Sequence, residues 1–269
     1  MTAWWHMTEA IHLYVGGKQL IARRQSGYPW RRRTESLGAW GWDAAAPSSL
    51  TFDQLALPKK RRVNLHVYVG SALSRFMVLA LPVGLRDLGE QRAAAQAQMQ
   101  QQLGLNPADW NFTLDPQRAP AKSVVCAVRR NVVERIEALS TQHGLRLMSL
   151  QPYVAGVWNA FQERKKAPES ALIAIEEDAF TVFVASAGAL ESMSSLYHRR
   201  ESGLVEREIK RLGMSASGVE QEIGVALPDS LAGMAQTNPD RILFKTAYLK
   251  EAIYADFRDL LFVSEAQQQ

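Results

Sequence analysis

Residues 122–161 read KSVVCAVRRNVVERIEALSTQHGLRLMSLQPYVAGVWNAF and decide the fold class. Residues 123–128 are a short apolar, β-branched run, which is typical of a strand buried on both faces. The next apolar positions recur at helical spacing, Gly144 is placed to end that helix, and residues 145–150 read as a second strand. A second helix begins at Pro152. We therefore predict an α/β fold containing a βαβ-like unit with a right-handed crossover.

Strand and helix patterns continue on both sides of this stretch. Residues 11–24 read as a hairpin around Gly16 and Gly17, because two glycines between alternating apolar runs favour a tight turn. We predict strands over 63–69, 76–81 and 110–114, and a helix over 85–103 with Leu85, Leu88, Ala95, Met99 and Leu103 as its inner stripe. Downstream we predict a hairpin of 171–176 and 179–185, a strand over 190–196, a helix over 205–212, an element of either type over 219–227, a short strand at 242–244 and a final helix over 247–261.

Composition indicates a globular protein with a real core. The chain has 269 residues, of which 47% are apolar and 22% charged. No apolar run approaches the roughly 20 residues of a membrane-spanning helix, and the first residues lack the pattern of a secretion signal. Cys126 is the only cysteine, so no internal disulfide is possible, and its place in an apolar strand predicts a small buried hydrophobe. These features predict a cytoplasmic protein.

Positive charge is mild but clustered. The net charge is +4 and the pI is about 9.2, with runs of cations at residues 23–24, 31–33, 59–62, 129–130, 165–166 and 199–200. Such clusters can contact nucleic acid or an anionic membrane, or they can be solvated loop ends. We favour solvated loop ends, because no recognition helix or aromatic-interleaved motif accompanies the clusters. A nucleic-acid module using Arg31, Arg32, Arg33 and residues 59–62 stays open as a third interpretation, and it requires steeply salt-dependent binding.

Four aromatic residues lie in the poorly patterned stretch after the first hairpin, namely Tyr28, Trp30, Trp40 and Trp42. Either their side chains pack into the core and hold this loop against it, or they form a partner-binding surface. The core interpretation is favoured, because large aromatic side chains are mostly buried.

Catalytic and metal-binding motifs are sparse. The five histidines are scattered and have no cysteine partners, which does not indicate a zinc site. Nucleophile and phosphate-loop motifs are absent. Glu176, Glu177 and Asp178 are either a charged turn between two strands or a metal or acid/base site; we favour the turn, because adjacent residues point apart.

The order of elements resembles the actin-like scaffold family of type IV pilus (PilM-like) and type II secretion (GspL-like) assembly. The resemblance covers roughly residues 60–260 and rests on particular stretches. They are the strand pair ending in Leu79-Ala80-Leu81-Pro82, the helix with a Leu-Gly-Leu exit at 103–105, the strand starting at Trp110, residues 125–135, Gly144-Leu145-Arg146, and the hairpin from Ile173 to Phe183. It implies an actin-like ATPase (ribonuclease H-like) fold with mixed sheets flanked by helices. Two lobes are implied, residues 1–121 with the hairpin and the aromatic-rich insertion, and residues 122–269.

The resemblance also bears on nucleotide binding. Family members that bind ATP carry Asp-Ile-Gly-Ser-type turns that bring a carboxylate to the metal and backbone N–H groups to the phosphates. Here residues 13–18 read LYVGGK and residues 175–179 read IEEDA, without that chemistry. Lys18, Glu176, Glu177 and Asp178 are weak cofactor candidates, although like charge repels a triphosphate by about 1 kcal/mol per close pair even in water. We expect no catalytic residue and no cofactor, with Mg-ATP as the alternative.

Two functions follow from the resemblance. The first is a non-catalytic cytoplasmic scaffold, peripheral at the inner membrane, that binds a short cytoplasmic segment of an inner-membrane pilus or secretion protein. Self-association is a further interaction that this role allows. Such a segment would add beside an exposed strand or fill a groove, near the strands over 63–69 and 76–81 and the aromatic stretch. The candidate contacts are Tyr28, Trp30, Trp40, Trp42, Val67, Val69 and Phe76. The second is an actin-like ATPase with divergent phosphate-binding turns.

Overall fold

The described part of the chain forms three β-sheets with helices packed between and beside them. The computed structural model describes residues 8–28, 31–55, 63–85, 87–115, 122–164, 170–176, 178–197, 207–208, 211–212, 222–226 and 245–248. The strands are β1 (Thr8–Val15), β2 (Gln19–Tyr28), β3 (Arg31–Gly41), β4 (Asn64–Val69), β5 (Ser74–Leu79), β6 (Trp110–Asp115), β7 (Ser123–Arg129), β8 (Arg146–Pro152), β9 (Ser170–Ile175), β10 (Ala179–Ser186), β11 (Ala189–Tyr197), β12 (Glu222–Ala226) and β13 (Lys245–Tyr248). The described helices are α1 (Leu88–Leu103), α2 (Arg130–Gln142) and α3 (Tyr153–Arg164).

The first sheet has the strand order β3-β2-β1-β4-β8. β1 pairs antiparallel with β2 and parallel with β4, and β4 pairs parallel with β8. The predicted alternation of β4 is confirmed, since Leu65, Val67 and Val69 are completely buried. β1 and β4 are therefore interior strands at the centre of the sheet.

The second sheet, β5-β7-β6, is antiparallel and carries α1 on one side. α1 begins where the Asp87 carboxylate accepts the Glu90 N–H at 2.8 Å, and it ends at Gly104, whose φ of 64° suits glycine. Only Ala95 and Met99 of the predicted inner stripe are buried in the helix; Leu88 and Leu103 are exposed. The stripe prediction is wrong at both ends because α1 packs through its middle turns alone.

The third sheet has the order β11-β10-β9-β12-β13, and the predicted hairpin of β9 and β10 and the strand β11 are confirmed. β12 resolves the ambiguity over 219–227 in favour of a strand. Residues 207–208 and 211–212 are helical, within the helix predicted over 205–212. The strand predicted at 242–244 and residues 249–261 of the final predicted helix lie outside the described residues. Residues 247 and 248, where that helix was predicted to begin, belong instead to β13, where they pair with β12, so the predicted start of the helix is wrong.

The stretch that decides the fold class does not form one βαβ unit within a single sheet. β7 is the centre of the second sheet, whereas β8 is the edge of the first, and α2 connects them. The βαβ-like prediction is therefore wrong in pairing, although each element exists as predicted. Local periodicity identifies an element but does not select its partner strand.

The same pairings move the predicted lobe boundary. β7 and β8 hydrogen-bond to strands of the first two sheets, so residues 122–152 belong with the N-terminal part and not with the lobe predicted to start at residue 122. We call the first two sheets with α1 and α2 the first lobe, and the third sheet with α3 the second lobe. None of the described helices is long and apolar enough to cross a membrane.

β3 was not predicted from sequence. Residues 31–41 are rich in Arg, Gly and Ser, yet they pair with β2 along its whole length. β3 is an edge strand, and none of its described side chains, at residues 33–41, is buried. A strand without a buried face carries little hydrophobic periodicity.

Candidate functional site: the interlobe cleft and an apolar groove

The two turns that replace the phosphate-binding turns face each other across the lobes. The first, residues 16–18, joins β1 to β2, and the second, residues 176–178, joins β9 to β10. A Cβ atom added to Gly17 would clash with Oδ2 of Asp178, and one added to Gly70 would lie 2.7 Å from Oε2 of Glu176. The glycines thus allow the backbone of the first lobe to approach these two carboxylates closely.

Glu176 is completely buried at this contact and is held by donors from the first lobe. The Tyr14 hydroxyl donates to Oε2 of Glu176 at 2.6 Å. The Ser71 backbone N–H donates to Oε1 and Oε2 of the same carboxylate at 3.0 and 3.2 Å. We call Tyr14, Ser71 and Glu176 the interlobe network; it joins the ends of β1 and β4 to the end of β9.

A chain of hydroxyl groups extends the contact into the third sheet. Ser71 Oγ shares a 2.8 Å hydrogen bond with Thr181 Oγ1, which shares one of 2.7 Å with Ser195 Oγ. Ser71 and Thr181 are buried, so the bonds are shielded from water and stronger than on a surface.

The network shifts the acid–base properties of its members. Burial raises the pKa of Glu176 to about 7, against hydrogen bonds from Ser71 and Tyr14 that lower it, and nearby Asp178 raises it further. Burial and the Glu176 carboxylate raise the pKa of Tyr14 well above its usual value. Tyr14 therefore stays a donor, and Glu176 changes charge near neutral pH.

The side chains of the second turn contact the backbone of the first lobe directly. The Glu176 carboxylate accepts from the backbone N–H of Ser71, and Gly17 lies close to Asp178. Of the weak cofactor candidates, the structure brings Glu176 and Asp178 to the turn that contains Lys18. Glu177 lies outside the described residues. Tyr14 and Ser71 were not predicted as site residues from the sequence; the position of an aromatic residue directly before the Val-Gly-Gly turn was the available signal for Tyr14.

Two of the scattered histidines lie side by side. His12 of β1 stacks on His66 of β4 with ring centroids 4.9 Å apart, and His66 Nδ1 is 2.9 Å from Ser149 Oγ. Among the described residues, no group of three or more His, Cys, Asp or Glu side chains is placed to hold a metal ion.

An open groove of about 420 Å³ lies between the second sheet, α3 and the β10–β11 hairpin. Its floor is apolar and aromatic, and Trp158 stacks on Phe183 there with centroids 4.9 Å apart. Asp115, Asn159 and the ion pair of Lys122 with Glu191 lie at or beside its rim. Cys126 also lines it, and burial raises the pKa of this thiol strongly, which fits the predicted small hydrophobe. We call this feature the β6–α3 groove. Its lining consists of Phe76, Thr113, Asp115, Lys122, Val124, Cys126, Pro152, Ala155, Trp158, Asn159, Phe183, Gly188, Ala189, Leu190 and Met193.

Most predicted partner contacts lie elsewhere. Phe76 lines the groove, but Val67 and Val69 are completely buried in an interior strand and present no surface, so their assignment as contacts is wrong. Trp42 is buried and its Nε1–H donates to the Gly16 carbonyl at 2.8 Å, which agrees with the core interpretation. Of the other three aromatics, Trp40 packs against the core, the backbone of Tyr28 ends β2, and Trp30 is outside the described residues.

Strand addition is possible at β6 and not at β4. β4 has neighbours on both sides, which corrects the expectation for residues 63–69. The outer side of β5 lies next to β11, where Arg75 bonds to the Tyr197 hydroxyl at 3.1 Å. Among the described strands, β6 pairs only with β7, and its Thr113 and Asp115 line the groove.

Comparisons with known proteins identify the fold. No protein-family model matches the chain, and no curated protein matches its sequence. A protein of unknown function with an actin-like ATPase fold from Bacteroides thetaiotaomicron is 11% identical, with a TM-score of 0.64 over 95% of this chain and 96% of that one. The cytoplasmic domain of EpsL, an inner-membrane component of the type II secretion system of Vibrio cholerae, is 10% identical, with a TM-score of 0.54 over 97% and 96%.

A chain of the PilM–PilN type IV pilus biogenesis complex is 13% identical, with a TM-score of 0.56 over 97% of this chain and 98% of that one. All three likenesses extend over nearly the full length of both chains, so the expectation from sequence is confirmed at the level of fold. The chain has an actin-like ATPase fold, similar to that of the EpsL cytoplasmic domain and of a chain of the PilM–PilN complex.

Proposed function

We propose that this protein is a non-catalytic cytoplasmic scaffold of a type IV pilus or type II secretion-like assembly machine, which binds a short cytoplasmic segment of an inner-membrane protein. One observation carries the proposal: the position between the lobes is filled by the protein's own Glu176, while the β6–α3 groove is open. The likeness in fold to EpsL and to the PilM–PilN complex supports this choice of machine.

The filled cleft supports the non-catalytic part of the proposal. A nucleotide would have to displace the Glu176 carboxylate from Tyr14 and Ser71, and would then meet the negative charge of Asp178. Displacement leaves the buried Glu176 carboxylate without its donors, which costs about 1–3 kcal/mol, or more for a charged group. Nucleotide binding therefore starts from a substantial energetic disadvantage.

The groove supports the partner-binding part. Its volume lies within the range of about 300–1,000 Å³ that is typical of ligand pockets, and its aromatic floor suits apolar side chains. A segment added beside β6 would form backbone hydrogen bonds with that strand and direct alternate side chains into the groove. Asp115 at the rim favours a basic residue next to the apolar ones.

The first prediction concerns nucleotide. We expect isothermal titration of the protein with Mg-ATP to give no binding heat at millimolar concentrations, because the carboxylate fills the cleft. Magnesium chloride without nucleotide is the control. Saturable heat from Mg-ATP would contradict the scaffold proposal and favour the alternative, an actin-like ATPase with divergent phosphate-binding turns.

The second prediction concerns the groove. Ala155 is exposed on α3 and lines the groove, so Ala155→Trp fills the groove without disturbing the core. We expect immobilised wild-type protein to retain an inner-membrane pilus or secretion protein from detergent-solubilised membranes. The Trp variant should retain at least about tenfold less, as expected for blocking the centre of an interface.

Ala97→Trp is the matched control, because Ala97 is an exposed helical alanine of α1 outside the groove lining. It should retain the partner like wild type. Recovery of no pilus or secretion component, or equal retention by both variants, contradicts the proposal.

A further inference from the structure

The backbone of β6 has one side that pairs with no other described strand. The Arg130 N–H donates to the Asp109 carbonyl at 2.8 Å, and these two residues continue the register in which β6 pairs with β7. Along an antiparallel strand, backbone groups that point to the partner alternate with groups that point away from it. The N–H and C=O groups of Phe112 and Leu114 therefore point away from β7, and an added segment would hydrogen-bond to them.

Arg130 lies at the start of this side of β6. Its Nε–H donates to the Ala108 carbonyl at 2.8 Å, and its Nη2 donates to the carbonyls of Pro107 and Trp110 at 3.1 and 3.3 Å. Carbonyl acceptors orient the guanidinium but leave its positive charge in place, because arginine stays protonated in proteins. A segment added to β6 would therefore meet a fixed positive charge at the Trp110 end.

A second arginine reaches the same side from α1. An open pocket of about 190 Å³ lies between α1 and β6, and Arg92, Gln96 and Arg130 line it together with residues 110–114. None of the described residues that line this pocket is Asp or Glu. No ion pair within the described ranges involves either arginine. We call this feature the α1 pocket, and its charge is positive.

The α1 pocket and the β6–α3 groove lie on opposite faces of the second sheet. Val124 and Cys126 of β7 line the groove, whereas Val125 between them lines the pocket. This difference follows from the alternation of side chains along a strand. The same alternation applies to a strand added beside β6. Every second side chain of such a strand would face the apolar groove, and the others would face the two arginines.

We propose that the segment bound beside β6 is an extended strand in which apolar and acidic residues alternate. Its apolar side chains fill the β6–α3 groove, and its carboxylates pair with Arg92 and Arg130. The inference rests on the proposed function and deepens it, because it names the chemistry of the bound segment. Complementary charge of this kind selects the partner and fixes the register of the added strand. The pairing with Arg130 belongs to the Trp110 end of β6, whereas Asp115 favours a basic residue at the other end.

Two fluorescein-labelled hexapeptides, as long as β6, test the proposal by fluorescence polarisation with the full chain. One peptide alternates leucine with glutamate, and the other alternates leucine with lysine. We expect the glutamate peptide to bind about tenfold more tightly, because the lysine peptide brings like charges together at the α1 pocket. The ratio should shrink as salt screens these charges. Equal binding of the two peptides, or no binding of either, overturns the proposal.

Three variants locate the peptide on the protein. Arg92→Glu replaces one of the two positive charges by a negative one, so the preference for the glutamate peptide should disappear. Arg146→Glu makes the same change at an exposed position of β8 in the first sheet, and this matched control should keep the preference. Ala155→Trp fills the groove and should weaken both peptides alike. A preference that survives Arg92→Glu, or binding that is unchanged in Ala155→Trp, overturns the proposal.

Retention of the membrane partner separates this inference from the proposed function. If Ala155→Trp fails to retain a pilus or secretion protein that Arg92→Glu still retains like wild type, the acidic pattern is overturned and the proposed function stands. Recovery of no such protein, with the preference for the glutamate peptide intact, contradicts the proposed function alone.

Discussion

We expect the free energy of unfolding of the wild-type protein to fall by about 3 kcal/mol as pH rises from 4.5 to about 8, because Glu176 loses its proton over this range. The variant Glu176→Gln should not show this loss. The pKa of this carboxyl group is about 7 in the folded protein, against 4.5 for an ordinary glutamate. A raised pKa means that the folded state binds the proton more tightly than the unfolded state does. The stabilisation is therefore complete below pH 4.5 and is lost as pH rises through 7.

The measurement is urea denaturation of wild type and variant at a series of pH values. The quantity to compare is the difference between their unfolding free energies, because other titrating groups cancel in it. The unfolding free energy of Glu176→Gln should rise steadily relative to that of wild type as pH increases. Glu137→Gln, on the exposed face of α2, is the control and should run parallel to wild type. Parallel curves for Glu176→Gln as well would show that the carboxyl group is not held in the buried network.

We expect Gly70→Ala to lower the free energy of unfolding by about 1–3 kcal/mol, the usual cost of forcing an extra methyl group into a packed site. Gly70 has φ −68° and ψ 160°, which alanine adopts without strain. The cost arises instead from space, because the new Cβ would lie 2.7 Å from both Tyr14 OH and Glu176 Oε2. These atoms form the hydrogen bond between the lobes, so the methyl group pushes the lobes apart at their contact.

Two further variants make this prediction specific. Gly41→Ala is the matched control, because its Cβ would meet nothing closer than the Lys18 carbonyl at 4.0 Å, and it should be nearly neutral. Tyr14→Phe removes one of the two atoms that the new methyl group meets, so the double variant with Gly70→Ala should lose less than the sum of the single losses. Strict additivity in urea denaturation would mean that Gly70 and Tyr14 are not in contact.

Most individual elements were predictable because local patterns specify them. The alternation in β4 and the helical spacing of Val132, Ile136 and Leu139 in α2 each express burial on one face, and both elements formed as predicted. β3 was missed, because an edge strand rich in Arg, Gly and Ser carries little periodicity. The exposed ends of α1 were misjudged, because a helical pattern does not say how much of the helix finds a packing partner.

The candidate site was less predictable than the elements that build it. The sequence marked the turns at residues 16–18 and 176–178 as chemically unlike phosphate-binding turns, and it marked Phe76 as a surface contact. It did not show that Glu176 reaches Tyr14 and Ser71, which lie 162 and 105 residues away along the chain. Contacts at such separations depend on how complete sheets pack.

The sequence by itself determined the α/β class, nearly every described strand and helix, and the loss of the usual phosphate-turn chemistry, because each of these is written in residues that are neighbours along the chain. Only the tertiary structure decided that β7 and β8 enter different sheets, that a buried glutamate joins the two lobes, and that an apolar groove opens beside β6. Strand pairing and lobe packing are chosen by shape and burial between distant segments, and no local pattern encodes those choices.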